Sequence, residues 1–450
     1  MKHSKKTKDD AIVIESPDRE DRFVSLVRDL QASDERWRWQ GNGTKRYRTP
    51  RLSVTPEGEK ERVISFHQYT GIVDYRPRDL IVTVRAGTTY AELLEVLQKD
   101  RMTVAIAPPY AAYATVGGLY MSGEVNWFKM GQGSWRDHVL ATRILMTSGE
   151  VMELGSKVMK NVAGYDFVRL LIGSLGSLAG ALEITFRLRP LPPRKEAVVL
   201  PLETLDWIKL TNFFRVLRDT PQEMQGLYVL NKTTAASIGW PDVPALLAIF
   251  ADEPAAVAIA SSQWMALAKD VGLVMRRHIN WQGVRDVWQE DGFRLSEDAL
   301  DQVFDRLARI LPAHTETSND PHAHYVRSGV HPTAFPELWQ RTEAMFRDRN
   351  PFMFGCYGSG ILHTVLPQKA LDDLALSEAL RSLREPLSTL PSFLRHDVRL
   401  ESTPSLLFKG IDRYPVNPGE RKMMQTIKKV FDPKHSLPSY GLDENACGGC

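Results

Sequence analysis

Hydrophobic and polar positions change period several times along this chain. Phe23, Leu26, Val27 and Leu30 recur at helical spacing and predict an amphipathic helix over 16–30. Trp37 and Trp39 then alternate with polar neighbours, as a strand does, and lead into the turn Gly41, Asn42, Gly43, Thr44. Branched and apolar runs predict strands over 63–66, 71–75 and 80–85, and a helix follows over 90–98. A short strand over 104–106 ends at the rigid Pro108, Pro109 pair. Segments 139–147 and 151–154 flank Ser148 and Gly149 and predict a hairpin.

The rest is organised around 157–193. A polar turn there gives way to an apolar segment, then Gly173, Gly176 and Gly180 gather around Ser174 and Ser177 ahead of an alternating strand over 182–188. After Pro190, Pro192 and Pro193 the pattern is mixed: helices over 204–217, 253–270, 333–347 and 419–430, strands over 226–229, 246–251 and 352–355. Further glycine loops stand at Thr115, Val116, Gly117, Gly118, then Gly123, and at Gly131, Gln132, Gly133, Ser134. Glycine-rich loops between strands let backbone amides surround an extended ligand with two phosphates. The Gly41–Thr44 turn lacks the third glycine and the following helix of a Rossmann fingerprint, which disfavours that fold.

A chain of 450 residues favours two or three domains. Its net charge of +2 gives no nucleic-acid footprint, because basic and acidic residues are interleaved. Three cysteines exclude a disulfide framework, and no apolar run is long enough to span a bilayer, so a cytoplasmic protein is expected, with contact to the inner membrane face only through partners. The lysine-rich first residues read as a solvated tail.

The segments GNGTK, GIVDYRPRDLIVTVRAGTTYAEL, ATVGG after the double proline, GSWRDHVL, KVMKNVAGYDFVRLLIGSLGSL and FRLRPLPP, in that order over 39–193, resemble the FAD-binding domain of vanillyl-alcohol oxidase type flavoproteins. They look most like the branch of FAD-binding subunits of bacterial glycolate oxidase. The resemblance implies an α+β protein: a basic tail over 1–15, a two-lobed FAD-binding domain over 16–195, and an α+β cap over 196–412. A helical segment over 413–436 would return to the FAD domain, ahead of a flexible tail over 437–450. Carried over, the resemblance has Gly41, Asn42, Gly43 and Thr44 cradle the pyrophosphate. Pro109, Thr115, Gly117 and Gly118 would line the isoalloxazine and diphosphate, and Gly133, Ser134, Asp137, Gly173, Ser174, Gly176 and Ser177 would complete the cleft. Lys45 stands where covalent attachment would need a histidine, and Ser122, Gly123, Glu124 offer neither histidine nor cysteine, so FAD is expected to be noncovalent.

Catalytic relatives carry two histidines and an aspartate in a glycine-spaced motif that binds a divalent metal. Here the matching stretch from Gly355 holds Cys356, Ser359 and Ile361 and retains only His363, so no metal site is expected. His363 on a strand reads more readily as a packed histidine than as a ligand. His396 as base and Arg395 as carboxylate anchor are the candidate catalytic pair; a polar strand edge explains them equally well. The cluster His322, His324, Tyr325 and Arg327 has the same two readings. Cys447 and Cys450 form a CxxC pair, two thiolates short of a structural zinc or iron–sulfur site.

The expected function is an FAD-binding subunit that relays electrons from a small 2-hydroxy acid, glycolate or lactate, to an iron–sulfur subunit, beside a second flavoprotein. The alternatives are a self-sufficient FAD-dependent hydroxy-acid or alcohol dehydrogenase and a flavin-free scaffold. The scaffold would tolerate bulky residues at Gly117 or Gly176.

Overall fold

The structure, a computed structural model, describes residues 12–48, 61–156, 166–219, 224–273, 288–289, 292–313, 323–367, 370–391, 394, 396–403 and 415–439. These fall into two compact units. One comprises residues up to Asn126, Ser134–Leu191 and the chain from Val416; the other comprises Trp127–Gly133 and Pro192–Pro415.

The first unit holds two principal sheets and a two-stranded ladder. In the smaller, β1 (Ile12–Glu15) and β2 (Trp37–Gln40) pair in parallel on either side of β3 (Glu61–Ser65). Helix Glu20–Ala32 packs there through Phe23, Val27 and Leu30, all buried, with Glu20 and Asp21 in its first turn where the helix dipole favours acids. The larger sheet is antiparallel, built from β4 (Ile72–Arg76), β5 (Ile81–Arg85), β7 (Val139–Leu145), β8 (Val151–Gly155) and β9 (Gly180–Arg187) in the order β4-β5-β9-β7-β8. β6 (Met102–Thr103) pairs with β10 (Arg189–Pro190). Helix Tyr90–Gln98 spans the predicted residues because Thr89 and Glu92 close a capping box and Tyr90, Leu93 and Leu97 bury one face.

Three local expectations change. The stretch 104–106 is no strand: the carbonyls of Val104 and Ile106 accept from the buried Tyr90 hydroxyl instead of a ladder. The loop 115–118 is the start of a helix, Val116–Ser122, whose N-cap Thr115 accepts from the Gly118 amide. Of the predicted tail, Ile12–Glu15 is strand β1, its β-branched residues registered against Glu61–Ile64; residues 1–11 lie outside the described residues.

The second unit is one antiparallel sheet of nine strands: β11 (Arg194–Pro201), β12 (Met224–Leu230), β13 (Ala245–Asp252), β14 (Trp288–Gln289), β15 (Gly292–Leu295), β16 (His324–Gly329), β17 (Phe352–Cys356), β18 (Ile361–Leu366) and β19 (Asp397–Ser402). Their order is β14-β15-β11-β13-β12-β17-β18-β16-β19. One face presents Val198, Leu200, Leu227, Val229, Leu246, Ala248, Met353 and Leu362 to helices Trp207–Arg218, Pro254–Asp270 and Phe335–Phe346, which contribute Leu210, Phe213, Trp264, Leu338 and Trp339. Each such Val, Leu, Met or Phe side chain, fully buried, is worth about 1.5–3 kcal/mol. The segment Trp127–Gly133 belongs with this unit, although the sequence placed it in the FAD-binding domain.

Helix Pro418–Phe431 returns to the first unit and is fastened there by a buried cation. The Lys428 ammonium donates to the Ser177 carbonyl at 2.7 Å, the Leu437 carbonyl at 3.0 Å and the Asp432 carboxylate at 2.5 Å. Asp432 in turn accepts from the Ser436 and Leu437 amides, both at 2.9 Å. Residues 437–439, expected in a flexible tail, are buried by this network; Cys447 and Cys450 lie outside the described residues. Removing one partner of a buried ion pair leaves the other uncompensated. Lys428→Met therefore lowers the unfolding free energy by about 3 kcal/mol, read from urea unfolding; a loss below about 1 kcal/mol would mean the pair is not what holds the segment.

Candidate functional site

The first unit contains an open cleft with about 730 Å³ of non-atom space. Its walls are the end of β2 with the turn through Arg46, then Phe66 and Ala86, helix Val116–Ser122 with its N-cap Thr115, and Leu175, Gly176, Ala179, Gly180 and Ala181. Backbone segments meet here more closely than side chains would allow. A Cβ at Gly41 would sit 2.1 Å from Thr115 Oγ1, one at Gly117 would sit 2.6 Å from the Ala86 Cβ, and one at Gly180 would sit 2.9 Å from the Trp39 ring. These glycines serve chain-to-chain contact. Gly118 differs: a Cβ there would meet only Thr115 Oγ1, at 3.1 Å, and the residue lines the cleft.

The described lining carries three cations, Arg38, Lys45 and Arg46, and no carboxylate. Asn42, Thr44 and Ser122 add polar groups, while Trp39, Phe66, Met121, Leu175 and Ala179 form an apolar wall. The indole N–H of Trp39 is buried and finds no acceptor among the described residues. A basic, partly aromatic cleft with an unspent donor fits a pyrophosphate joined to a planar ring. Leu175 holds a positive φ of 56°, a conformation ordinarily left to glycine, and its amide donates to the Met121 carbonyl at 2.8 Å. Behind the turn, Arg48 pairs with Glu124 at 3.3 Å and Lys45 lies 3.9 Å from the same carboxylate. Burial lowers the Lys45 pKa to about 8, against the pull of Glu124.

Of the residues expected at the site, the cleft gathers Gly41, Asn42, Gly43, Thr44, Thr115, Gly117, Gly118 and Gly176. Pro109, Gly173, Ser174 and Ser177 are outside its lining. Ser177 offers its carbonyl to Lys428, and Ser174 Oγ accepts from the Gly176 amide. Ser134 and Asp137 close a capping box with each other, the Asp137 carboxylate accepting the Ser134 amide at 2.7 Å. Burial opposes ionisation of Asp137, but those bonds and the charges of His138 and Arg169 hold its pKa below the usual carboxylate range. Gly133 belongs to the other unit, where its amide donates to the Lys129 carbonyl. Arg38, Trp39 and Arg46 were missed; their signal was their position on either side of GNGTK, the first two on a strand that the larger pattern already exposed.

In the second unit the sheet face opposite the helical core carries His363, Phe354, Tyr325 and Arg327. His363 is buried, stacked on Phe354 at 4.7 Å between ring centroids, and its Nδ1 is 2.8 Å from the Tyr325 hydroxyl. Arg327 pairs with buried Glu401 at 2.6 Å, and His324 Nδ1 lies 3.0 Å from Thr403 Oγ1. Among the described residues no group of three His, Cys, Asp or Glu side chains is placed to hold a metal ion. His396 is half-buried with Nε2 donating to the Leu383 carbonyl at 2.7 Å, a bond that leaves the ring's lone pair on Nδ1. Arg395, His322 and the KNVAGY stretch lie outside the described residues.

Residues 11–155 match the family model described as an FAD binding domain. The glycolate oxidase subunit GlcE of Escherichia coli is 39% identical over 125 residues, covering 28% of this chain and 36% of that protein. The D-2-hydroxyglutarate dehydrogenase of Stutzerimonas stutzeri is 22% identical over 83% of this chain and 79% of its own length. The chain spans about a third of the length of the first curated relatives it matches. Among solved structures, p-cresol methylhydroxylase with substrate bound superposes with a TM-score of 0.68 at 10% identity, over 96% of this chain and 88% of that one, a likeness of fold. The chain thus carries an FAD-binding domain in an α+β fold of the vanillyl-alcohol oxidase type, and FAD is its cofactor. No helix among the described residues is long and apolar enough to cross a membrane.

Gly117 and Gly176 are held by packing and by a positive φ of 78° respectively, so a bulky residue at either reports the fold and not the flavin. Gly118 separates the two. Gly118→Leu keeps the thermal midpoint of the flavin-free protein and weakens FAD binding by at least about tenfold, roughly 1.4 kcal/mol, measured by fluorescence titration. Gly117→Leu lowers the midpoint instead. Unchanged affinity in Gly118→Leu would remove that residue from the site.

Proposed function

We propose that this chain is the FAD-binding subunit of a glycolate-oxidase-like complex, passing electrons from a 2-hydroxy acid to an iron–sulfur partner. The observation that carries the proposal is a contrast between the two units. The FAD cleft keeps its close-packed glycines, its three cations and its aromatic wall. The cap stretch where catalytic relatives would hold a metal presents Cys356 and a His363 that is sealed between Phe354 and Tyr325. Similarity to GlcE over the FAD-binding domain supports the same reading.

Bound FAD supplies an acceptor that takes two electrons and can release them singly. The chain's own residues hold the cofactor and shape its surroundings. Arg38, Lys45 and Arg46 balance the phosphate charge, Trp39 and Phe66 offer apolar faces to a ring, and the turn Gly41–Thr44 brings backbone against it. With His363 buried and bonded to the Tyr325 hydroxyl, this reading assigns proton abstraction from a hydroxy acid to a partner subunit.

An alternative gains support from the 22% identity that runs the length of a D-2-hydroxyglutarate dehydrogenase: a chain that turns over its own substrate. An anaerobic visible spectrum distinguishes them. The purified chain is expected to show flavin absorption of about one FAD per chain, unbleached by glycolate or lactate alone and bleached once an iron–sulfur subunit and a second flavoprotein are added. Bleaching by the hydroxy acid without partners would replace the relay with a self-sufficient dehydrogenase. In the same assay His363→Ala is expected to leave partner-dependent bleaching intact.

A further inference from the structure

Lys45 follows directly on the Gly41–Thr44 turn and lines the FAD cleft. Its side chain is 11% exposed. Among the described residues its ammonium has one acceptor within hydrogen-bond distance, the Thr44 hydroxyl at 3.4 Å. The nearest carboxylate is Glu124, whose Oε2 forms a long ion pair with the ammonium at 3.9 Å, beyond hydrogen-bond distance, while its Oε1 accepts from Arg48 at 3.3 Å and from the Val125 amide at 3.0 Å. An ammonium has three donors. Burying one with a single long hydrogen bond is costly, so a buried lysine in this state is either destabilised or completed by something that arrives in the cleft. The described lining supplies no carboxylate to complete it.

We propose that Lys45 holds a phosphate oxygen of the bound FAD, and that its protonation state sets how tightly the chain takes up the cofactor. The proposal rests on FAD being the cofactor and is independent of which subunit oxidises the substrate or accepts the electrons.

The sign of the effect follows from burial. In the flavin-free chain burial holds the Lys45 pKa at about 8, with Glu124 pulling it up and Arg48 pushing it down. A phosphate oxygen in contact with the ammonium raises that pKa. Below about pH 8 the lysine is charged before FAD arrives, and affinity is full. Above it, binding must first take up a proton, so affinity falls as pH rises, until the pKa of the complex is reached. The groups facing Lys45 are Thr44, Glu124 and Arg48, with Arg38 and Arg46 elsewhere in the lining. Carboxylates and guanidinium groups ordinarily titrate outside this window, which leaves the lysine as the titrating member.

The test uses the full chain stripped of flavin, with FAD affinity followed by fluorescence quenching from about pH 7 to about pH 9.5. For the native chain the dissociation constant is expected to rise about thirtyfold over that range, the behaviour of one proton released from a group with a pKa near 8. Lys45→Met is expected to bind weakly at every pH with no such slope. Lys45→Arg keeps a charge through the window and is expected to bind tightly and without slope. Riboflavin, which has the ring and no phosphate, is expected to bind all three proteins without pH dependence. The proposal is overturned if Lys45→Arg keeps the native slope, if Lys45→Met titrates like the native chain, or if riboflavin shows the slope of FAD. The last result would place the ammonium at the ring. Should circular dichroism show that Lys45→Met does not fold, the comparison of Lys45→Arg with the native chain decides alone.

Discussion

The cleft exists because three pairs of chain segments pass one another at distances that exclude a side chain. The turn at Gly41 rests on Thr115, the helix start at Gly117 rests on Ala86, and the strand start at Gly180 lies under the indole of Trp39. A methyl group at any of the three meets an atom at 2.1 to 2.9 Å, inside van der Waals contact. Together these contacts draw the parallel sheet, the antiparallel sheet and the helix between them around one concavity. Thr115 has two tasks in it, capping the helix through the Gly118 amide and filling the space that Gly41 leaves. The glycines that look from sequence like room for a ligand are mostly room for the protein itself.

That distinction marks where sequence reading succeeded and where it stopped. Helix Tyr90–Gln98 was legible to the residue because both determinants are local: a Thr89–Glu92 capping box and apolar positions one helical turn apart. The hairpin of β7 and β8 and the strands of the larger sheet were legible for the same reason. What escaped depends on distant partners. Val104–Ile106 carries a strand-like sequence but spends two carbonyls on the Tyr90 hydroxyl. Glycines at 117 and 118 hid a helix start that only Thr115 reveals. Ser134 and Asp137 have the composition of a phosphate loop and serve as caps for each other. Arg38 and Trp39 read as one strand among several, and their place in the cleft follows from folding of β2 against a helix nearly eighty residues on.

Both units pair some buried polar groups and leave others without a hydrogen-bond partner among the described residues, the indoles of Trp207, Trp264 and Trp339 in the second and that of Trp39 in the first. In the second unit Tyr325 pairs with His363, Glu401 with Arg327, and Thr403 with His324. In the cleft of the first unit the Trp39 indole finds no acceptor among the described residues, and the Lys45 ammonium has the Thr44 hydroxyl at 3.4 Å and Glu124 Oε2 at 3.9 Å. Native structures seldom leave buried donors in that condition without a use for them.

The Lys428 contact has a consequence for biosynthesis. It reaches the Ser177 carbonyl across 251 residues of chain, beyond the whole of the second unit. During synthesis the N-terminal part emerges and begins to fold first. Yet the segment behind the Gly/Ser turn lacks this brace until helix Pro418–Phe431 leaves the ribosome, after every strand of the nine-stranded sheet. The flavin domain is therefore completed last although it is begun first, and a ribosome stalled within the cap would display its cleft with one wall unbraced.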